Sequence, residues 1–203
     1  PARVVPAPVK VPVLDSRKIQ PRQFTVQKGS DLAKFHIYMN GQNAQLQSAL
    51  SMAPALYTMQ PSGTLYKSMV ETGISTAVQS TTWLDQDFNL VFMGAIYAPN
   101  HDAKKVDEAL TTGVENSQPF TDAELQRVKN MTKNAADTIA KDAVALGSRL
   151  SDYAVASHGQ WDQYFKDLQA IQDLKLNDAN QILKQFLVSS HRISGDILPT
   201  PED

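Results

Sequence analysis

Apolar residues recur every second position near the start of the chain and with a helical period through its second half, which separates strands from helices. Between Gln23 and Lys28, Phe24 and Val26 share one side. Between Ala33 and Met39, Phe35, Ile37 and Met39 do the same. Both segments predict half-buried strands, joined through Gly29-Ser30-Asp31. From Ala44 the positions Leu46, Ala49, Leu50 and Ala53 take a helical period, and Pro54 has no N–H to return to Leu50, so this helix should kink or break. A helix from Ser62 to Glu71 follows, with Gly73 placed to end it in the left-handed conformation.

Ser75 to Leu84 and Phe88 to Tyr97, around the turn Asp85-Gln86-Asp87, predict a hairpin rich in Thr, Val, Phe and Trp. Its second strand is apolar on both sides: Phe88, Leu90, Phe92 and Ile96 on one, Val91, Met93 and Tyr97 on the other. The second of these faces is the one to assign to a partner domain, a locally covered strand being an equally plain reading. Helices then dominate. Val106, Leu110 and Val114 mark one; the capping box Thr121-x-x-Glu124 opens another with Leu125, Val128, Thr132, Ala135 and Ile139 on a stripe. Leu146, Leu150, Tyr153, Ala154 and Ser157 continue the period. Ala179, Ile182, Leu183, Phe186 and Leu187 mark a last helix before a strand from about Arg192 to Ile197. Strands first, helices after and a returning strand argue an α+β fold with a mainly antiparallel sheet.

Composition narrows the function. The 203 residues suit one large domain or two small ones, with a sizeable core. Five of the 11 prolines fall within residues 1–21, which predicts a proline-rich inter-domain linker, a domain over 22–199 and the start of a following linker at 200–203. A net charge of -2 without single-sign runs gives no footprint for nucleic acid, and no apolar run approaches the ~18 residues of a membrane span. The absence of cysteine removes thiol nucleophiles, thiolate metal sites and disulfides.

Candidate chemistry is sparse. No two of His36, His101, His158 and His191 stand close enough in sequence to form a helical zinc-binding pair, so each is expected at the surface or core edge. Asp85 and Asp87 suit a turn better than an acid–base pair. Phosphate-binding glycine loops and Gly-x-Ser-x-Gly elbows are absent, and Asn130-Met131-Thr132 is a chance sequon within a helical stripe. Lys34, His36 and Tyr38 share the side of their strand opposite Phe35 and Ile37. If Phe35 and Ile37 pack on the helices, these three face outward and line a substrate chamber, or simply a solvated sheet face.

The stretch Pro61-Ser62-Gly63-Thr64-Leu65-Tyr66-Lys67-Ser68-Met69-Val70-Glu71-Thr72-Gly73 resembles the C-terminal-type repeat of the pitrilysin/insulinase-like zinc peptidases. Ser62, Gly63, Leu65, Tyr66 and Glu71 carry the likeness as structural signature residues. Pro119 to Lys129, Trp161 to Leu168 and Ser194 to Pro199 resemble further family segments in the same order. The resemblance covers about Phe24 to Pro199. It implies a bent sheet with helices on one side, and a non-catalytic domain that walls the substrate chamber. Such a domain pairs with a homologous catalytic domain of the same polypeptide, which holds the zinc and acts on peptide or unfolded protein. It also implies a periplasmic location. The family's zinc motif His-x-x-Glu-His does not occur in this chain, so no metal or other cofactor is expected in it. The Arg and Tyr that contact substrate in competent second halves fall here on Val70 and about Thr76, and no Arg occurs between Arg22 and Arg127. An assembly module of a catalytically dead relative is the alternative.

Overall fold

The computed structural model describes residues 22–27, 32–41, 43–84, 88–157 and 159–200. The linker expected over 1–21, the connection at Gly29-Ser30-Asp31, the turn Asp85-Gln86-Asp87, His158 and the end from 201 lie outside them. Five strands, β1 (Arg22–Gln27), β2 (Leu32–Gly41), β3 (Ala77–Leu84), β4 (Phe88–Tyr97) and β5 (Arg192–Leu198), form one sheet in the order β1-β5-β2-β4-β3. Every pairing is antiparallel except β1 with β5. The mixed, mainly antiparallel α+β expectation therefore holds.

The helices follow their local chemistry. Asn43 caps α1 (Ala44–Leu50) by accepting from the Gln45 N–H. The break expected at Pro54 comes two residues earlier. Pro54 sits in the first turn of α2 (Ala53–Thr58), where its missing N–H costs nothing. The signature segment is wider than a plain α-helix: a π-helical turn at Tyr66–Val70, closed by the Glu71 N–H donating to the Tyr66 carbonyl and followed by Gly73 at φ 74°. In α3 (Ala103–Glu115) the buried residues are Val106, Leu110 and Val114, as the periodicity predicts. The Thr121 box closes the start of α4 (Asp122–Ile139) from both sides, a cap worth ~1 kcal/mol.

Two stripes reach less far into the core than their period implies. In α4 only Leu125 and Val128 are buried, and α5 (Ala143–Ala156) buries none of its residues. This pair runs beyond the edge of the core, and α5 leans instead on α6 (Gln163–Asp173), where Tyr153 meets Tyr164 edge-on at 5.3 Å. The returning helix α7 (Leu176–Phe186) buries Ala179, Leu183 and Phe186.

The central correction concerns the faces of the sheet. The core joins Tyr38, Val91, Met93, Ala95 and Tyr97 of the sheet to residues of α1, α2, α3, α4 and α7. The helices thus cover the side bearing Lys34, His36 and Tyr38, opposite to the expectation, and Val91, Met93 and Tyr97 point inward rather than toward a partner domain. Because side chains alternate with a period of two, this choice flips every strand together. Polar groups decide it: His36 and Tyr38 find hydrogen-bond partners on α3, so they enter the core satisfied. The other face, with Phe24, Val26, Phe35, Ile37, Leu90, Phe92 and Ile96, has no described helix over it.

Candidate functional site

The strongest concentration of ionisable side chains lies between β2, β5 and α3. His36, fully buried, places Nε2 2.9 Å from Asp107 Oδ1. The Tyr38 hydroxyl, also fully buried, stands 3.3 Å from His36 Nδ1 and donates to Glu115 at 3.0 Å. Arg192 Nη1 donates to the same Glu115 oxygen at 2.6 Å and to Thr111 Oγ1 at 3.2 Å. At one end Lys34 forms an ion pair with Asp196, which also accepts from Gln23. Of the sequence-derived trio, His36 and Tyr38 therefore form a buried clamp between sheet and helix while Lys34 pairs within the sheet, and Lys34, His36 and Tyr38 do not line an open chamber. The residues of α3 in this cluster, Asp107 beside His36, Glu115 beside Tyr38 and Thr111 beside Arg192, escaped the sequence reading. They recur every fourth residue, one position past Val106, Leu110 and Val114, so a polar stripe beside the apolar one was the available signal.

Electrostatics in the clamp favour holding over reacting. Burial, followed by the nearby Glu115 carboxylate, pushes the Tyr38 phenol far up, so it stays a donor. The hydrogen bond from His36 holds the Asp107 carboxyl below its ordinary range, against a smaller desolvation effect. Neither group is poised near neutrality with access to a substrate, the arrangement that proton transfer requires.

The other two described histidines bond to nearby backbone. His101 Nδ1 accepts from the Ala98 N–H at 3.2 Å, and His191 Nδ1 lies 2.9 Å from the Phe186 carbonyl. Among the described residues no three His, Asp, Glu or Cys side chains come together as a metal site. Of the signature residues, Leu65 and Gly63 are buried, Ser62 and Tyr66 half-buried and Glu71 exposed. At the positions of the substrate-contacting Arg and Tyr, Val70 is half-buried and Thr76 bonds the Ile96 carbonyl. A cleft of about 510 Å³ between α1, α5 and α6 is lined by Gln45, Ser48, Ser51, Asp152, Tyr153 and Asp167, among others. It presents no nucleophile–base pair.

No protein-family model matches the chain, and no curated protein does. Solved structures do. The inactive peptidase domain of a candidate zinc protease from Bordetella parapertussis is 28% identical at a TM-score of 0.76, over 86% of this chain and 96% of that one. A candidate zinc protease from Bordetella pertussis is 27% identical at 0.74, over 84% and 94%. The first half of the periplasmic protease PqqL from Escherichia coli is matched at 0.70 and 14% identity, over 98% of this chain but 46% of that one. In fold and in sequence the chain is similar to the inactive peptidase domains of such zinc proteases.

Proposed function

We propose that the chain pairs with a separate catalytic domain of the same polypeptide, which carries the zinc and its His-x-x-Glu-His motif, and completes the wall of a chamber for peptide or unfolded protein. The observation that carries this reading is the 28% identity extending over 96% of an inactive peptidase domain. The role is positional: a second wall excludes water and holds an extended peptide against chemistry performed elsewhere. No described helix is long and apolar enough to cross a membrane. The likeness to a half of periplasmic PqqL supports a periplasmic location.

The test is deletion of residues 22–199 from the parent protein, with bound zinc and cleavage of a quenched fluorescent peptide measured together. Retained zinc with peptidase activity lost at least 100-fold is the expected result. Full activity in the zinc-loaded deletion variant, or a parent without a zinc-binding domain, overturns the proposal. The second outcome would leave an assembly role.

A further inference from the structure

We infer that the cleft between α1, α5 and α6 is a binding site for a basic peptide side chain, an ammonium or guanidinium group on an alkyl stem. All three helices lie on the covered side of the sheet, so the site does not depend on the pairing proposed above. The volume of about 510 Å³ falls within the ~300–1,000 Å³ of ligand clefts. Its charge has one sign: Asp152 and Asp167 line it, and none of the lining residues is Lys, Arg or His. Neither carboxylate has an ion-pair partner among the described residues. Arg149, exposed one turn before Tyr153 on α5, acts on the Tyr153 phenol from outside the lining.

The lining matches both parts of such a ligand. Leu84, Ala156, Ala170 and Ile171 form an apolar wall, against which a methylene stem packs while its charged head stays among polar groups. Ile171 and Leu84 belong to or pack on the core, so the two carboxylates stand before a low-dielectric backing that concentrates their field on a cation. The Ser51 hydroxyl spends its proton on the Ser48 carbonyl at 2.9 Å, which leaves only lone pairs for a ligand. Ammonium and guanidinium groups donate and never accept, the complement of this set. Other ligands fit worse. An anion meets two carboxylates, an apolar group would strip them of water without replacing it, and a metal ion finds no third ligating side chain among the described residues.

Two sources offer that chemistry. One is a separate basic peptide. The other is this chain, whose residues 1–21 contain Arg3, Lys10, Arg17 and Lys18 against a single acid, Asp15. Register puts Arg22, where β1 opens, at the end of the sheet where β2 finishes at Gly41 and β3 at Leu84, and Leu84 lines the cleft. Crossing from β1 to β3 at ~4.8 Å per strand is a span of roughly 20 Å, within reach of about seven extended residues.

The probe is a fluorescein-labelled hexapeptide alternating alanine and lysine, followed by anisotropy on the 203-residue chain. Its counterpart carries norleucine for lysine, keeping the stem and dropping the charge. The lysine peptide should bind about 10-fold tighter or more, as loss of charge-assisted hydrogen bonds predicts. Asp152→Asn, at an exposed position, should weaken it, and Asp152→Asn/Asp167→Asn should bring the loss to about 10-fold, with unfolding by circular dichroism confirming that both variants fold. Asp122→Asn/Asp137→Asn, exposed on α4 outside the cleft, should change nothing. Methyl NMR signals of Leu84 and Ile171 should shift with the lysine peptide. Replacing the four basic residues of 1–21 (Arg3→Gln, Lys10→Gln, Arg17→Gln, Lys18→Gln) separates the sources: tighter binding of the probe assigns the site to the chain's own segment, unchanged binding to a peptide from outside. Equal affinity for the norleucine peptide overturns the inference, as does a loss shared by the α4 control or a set of shifts that omits Leu84 and Ile171.

Discussion

Gly63→Ala should be among the most damaging single-methyl additions in this domain. A Cβ at Gly63 would stand 2.5 Å from the Tyr57 carbonyl oxygen and 2.7 Å from the Met59 nitrogen, the first 0.9 Å inside the 3.4 Å at which such contacts become ordinary. All the nearest atoms are backbone, so no rotamer relieves the clash. The turn cannot open freely either, because Gly63 N–H donates to the Met59 carbonyl at 2.6 Å and the Gly63 carbonyl accepts from Lys67. Overpacking costs ~1–3 kcal/mol, and an unyielding neighbour puts this case at the top of that range. The stiffer unfolded chain returns at most ~1 kcal/mol. A net loss of about 2–3 kcal/mol remains, or roughly 5–10 °C in Tm for a domain of this size. Thermal and urea unfolding of the chain followed by circular dichroism would measure it. A Tm within about 2 °C of the parent value would refute the argument that Gly63 is fixed by steric contact.

Gly147→Ala has the opposite sign: nothing lies within 4 Å of a Cβ there, and within α5 the change should add about 0.5–1 kcal/mol by urea unfolding. Tyr38→Phe removes the buried hydroxyl between His36 and Glu115 and should cost about 1–2 kcal/mol, and its loss combined with Glu115→Gln should be less than additive in a double-mutant cycle. Asp107 titrates below its unfolded value, so its stabilisation is complete above about pH 4 and is lost as pH falls through the lowered folded value. Asp107→Asn should therefore destabilise at pH 7, with the difference in urea midpoint shrinking toward zero below pH 4. Met93→Ala, on the covered face, should cost about 3 kcal/mol, whereas Ile96→Ala on the open face should cost about 1 or less in the isolated chain; comparable losses would put the helices on the wrong side.

Where local chemistry was strong, elements were legible in the sequence. The stripe Val106, Leu110, Val114, the Thr121 box and Gly73 each specify a helix face, start or stop by themselves, and each is found as read. The orientation of the sheet was not legible. Both sides of β4 are apolar enough to be core, and on β2 His36 and Tyr38 look like surface residues until Asp107 and Glu115, 71 and 77 positions away, are brought to them. Hydrophobicity ranks single residues; it does not register a polar group whose cost of burial is cancelled by a distant partner. The missed α6 has a related cause. Trp161 and Phe165 are exposed and only Tyr164 and Ile171 are buried, so its apolar residues do not gather on one inward stripe.

The same reversal links structure to role. A peptidase domain that performs chemistry must keep ionisable groups accessible and poised. Here the described histidines spend their ring nitrogens on the fold: His36 on Asp107 and Tyr38, His101 on the Ala98 N–H, and His191 on the Phe186 carbonyl. Glu115 is likewise consumed by Tyr38 and Arg192. With its polar groups turned inward to fasten α3, the sheet presents Phe24, Phe35 and Phe92, in ring contact with one another, on its other face. Buried ionisable groups and an apolar outer face are thus two results of one arrangement: the side of β2 that bears His36 and Tyr38 is the side that holds the helix layer in place.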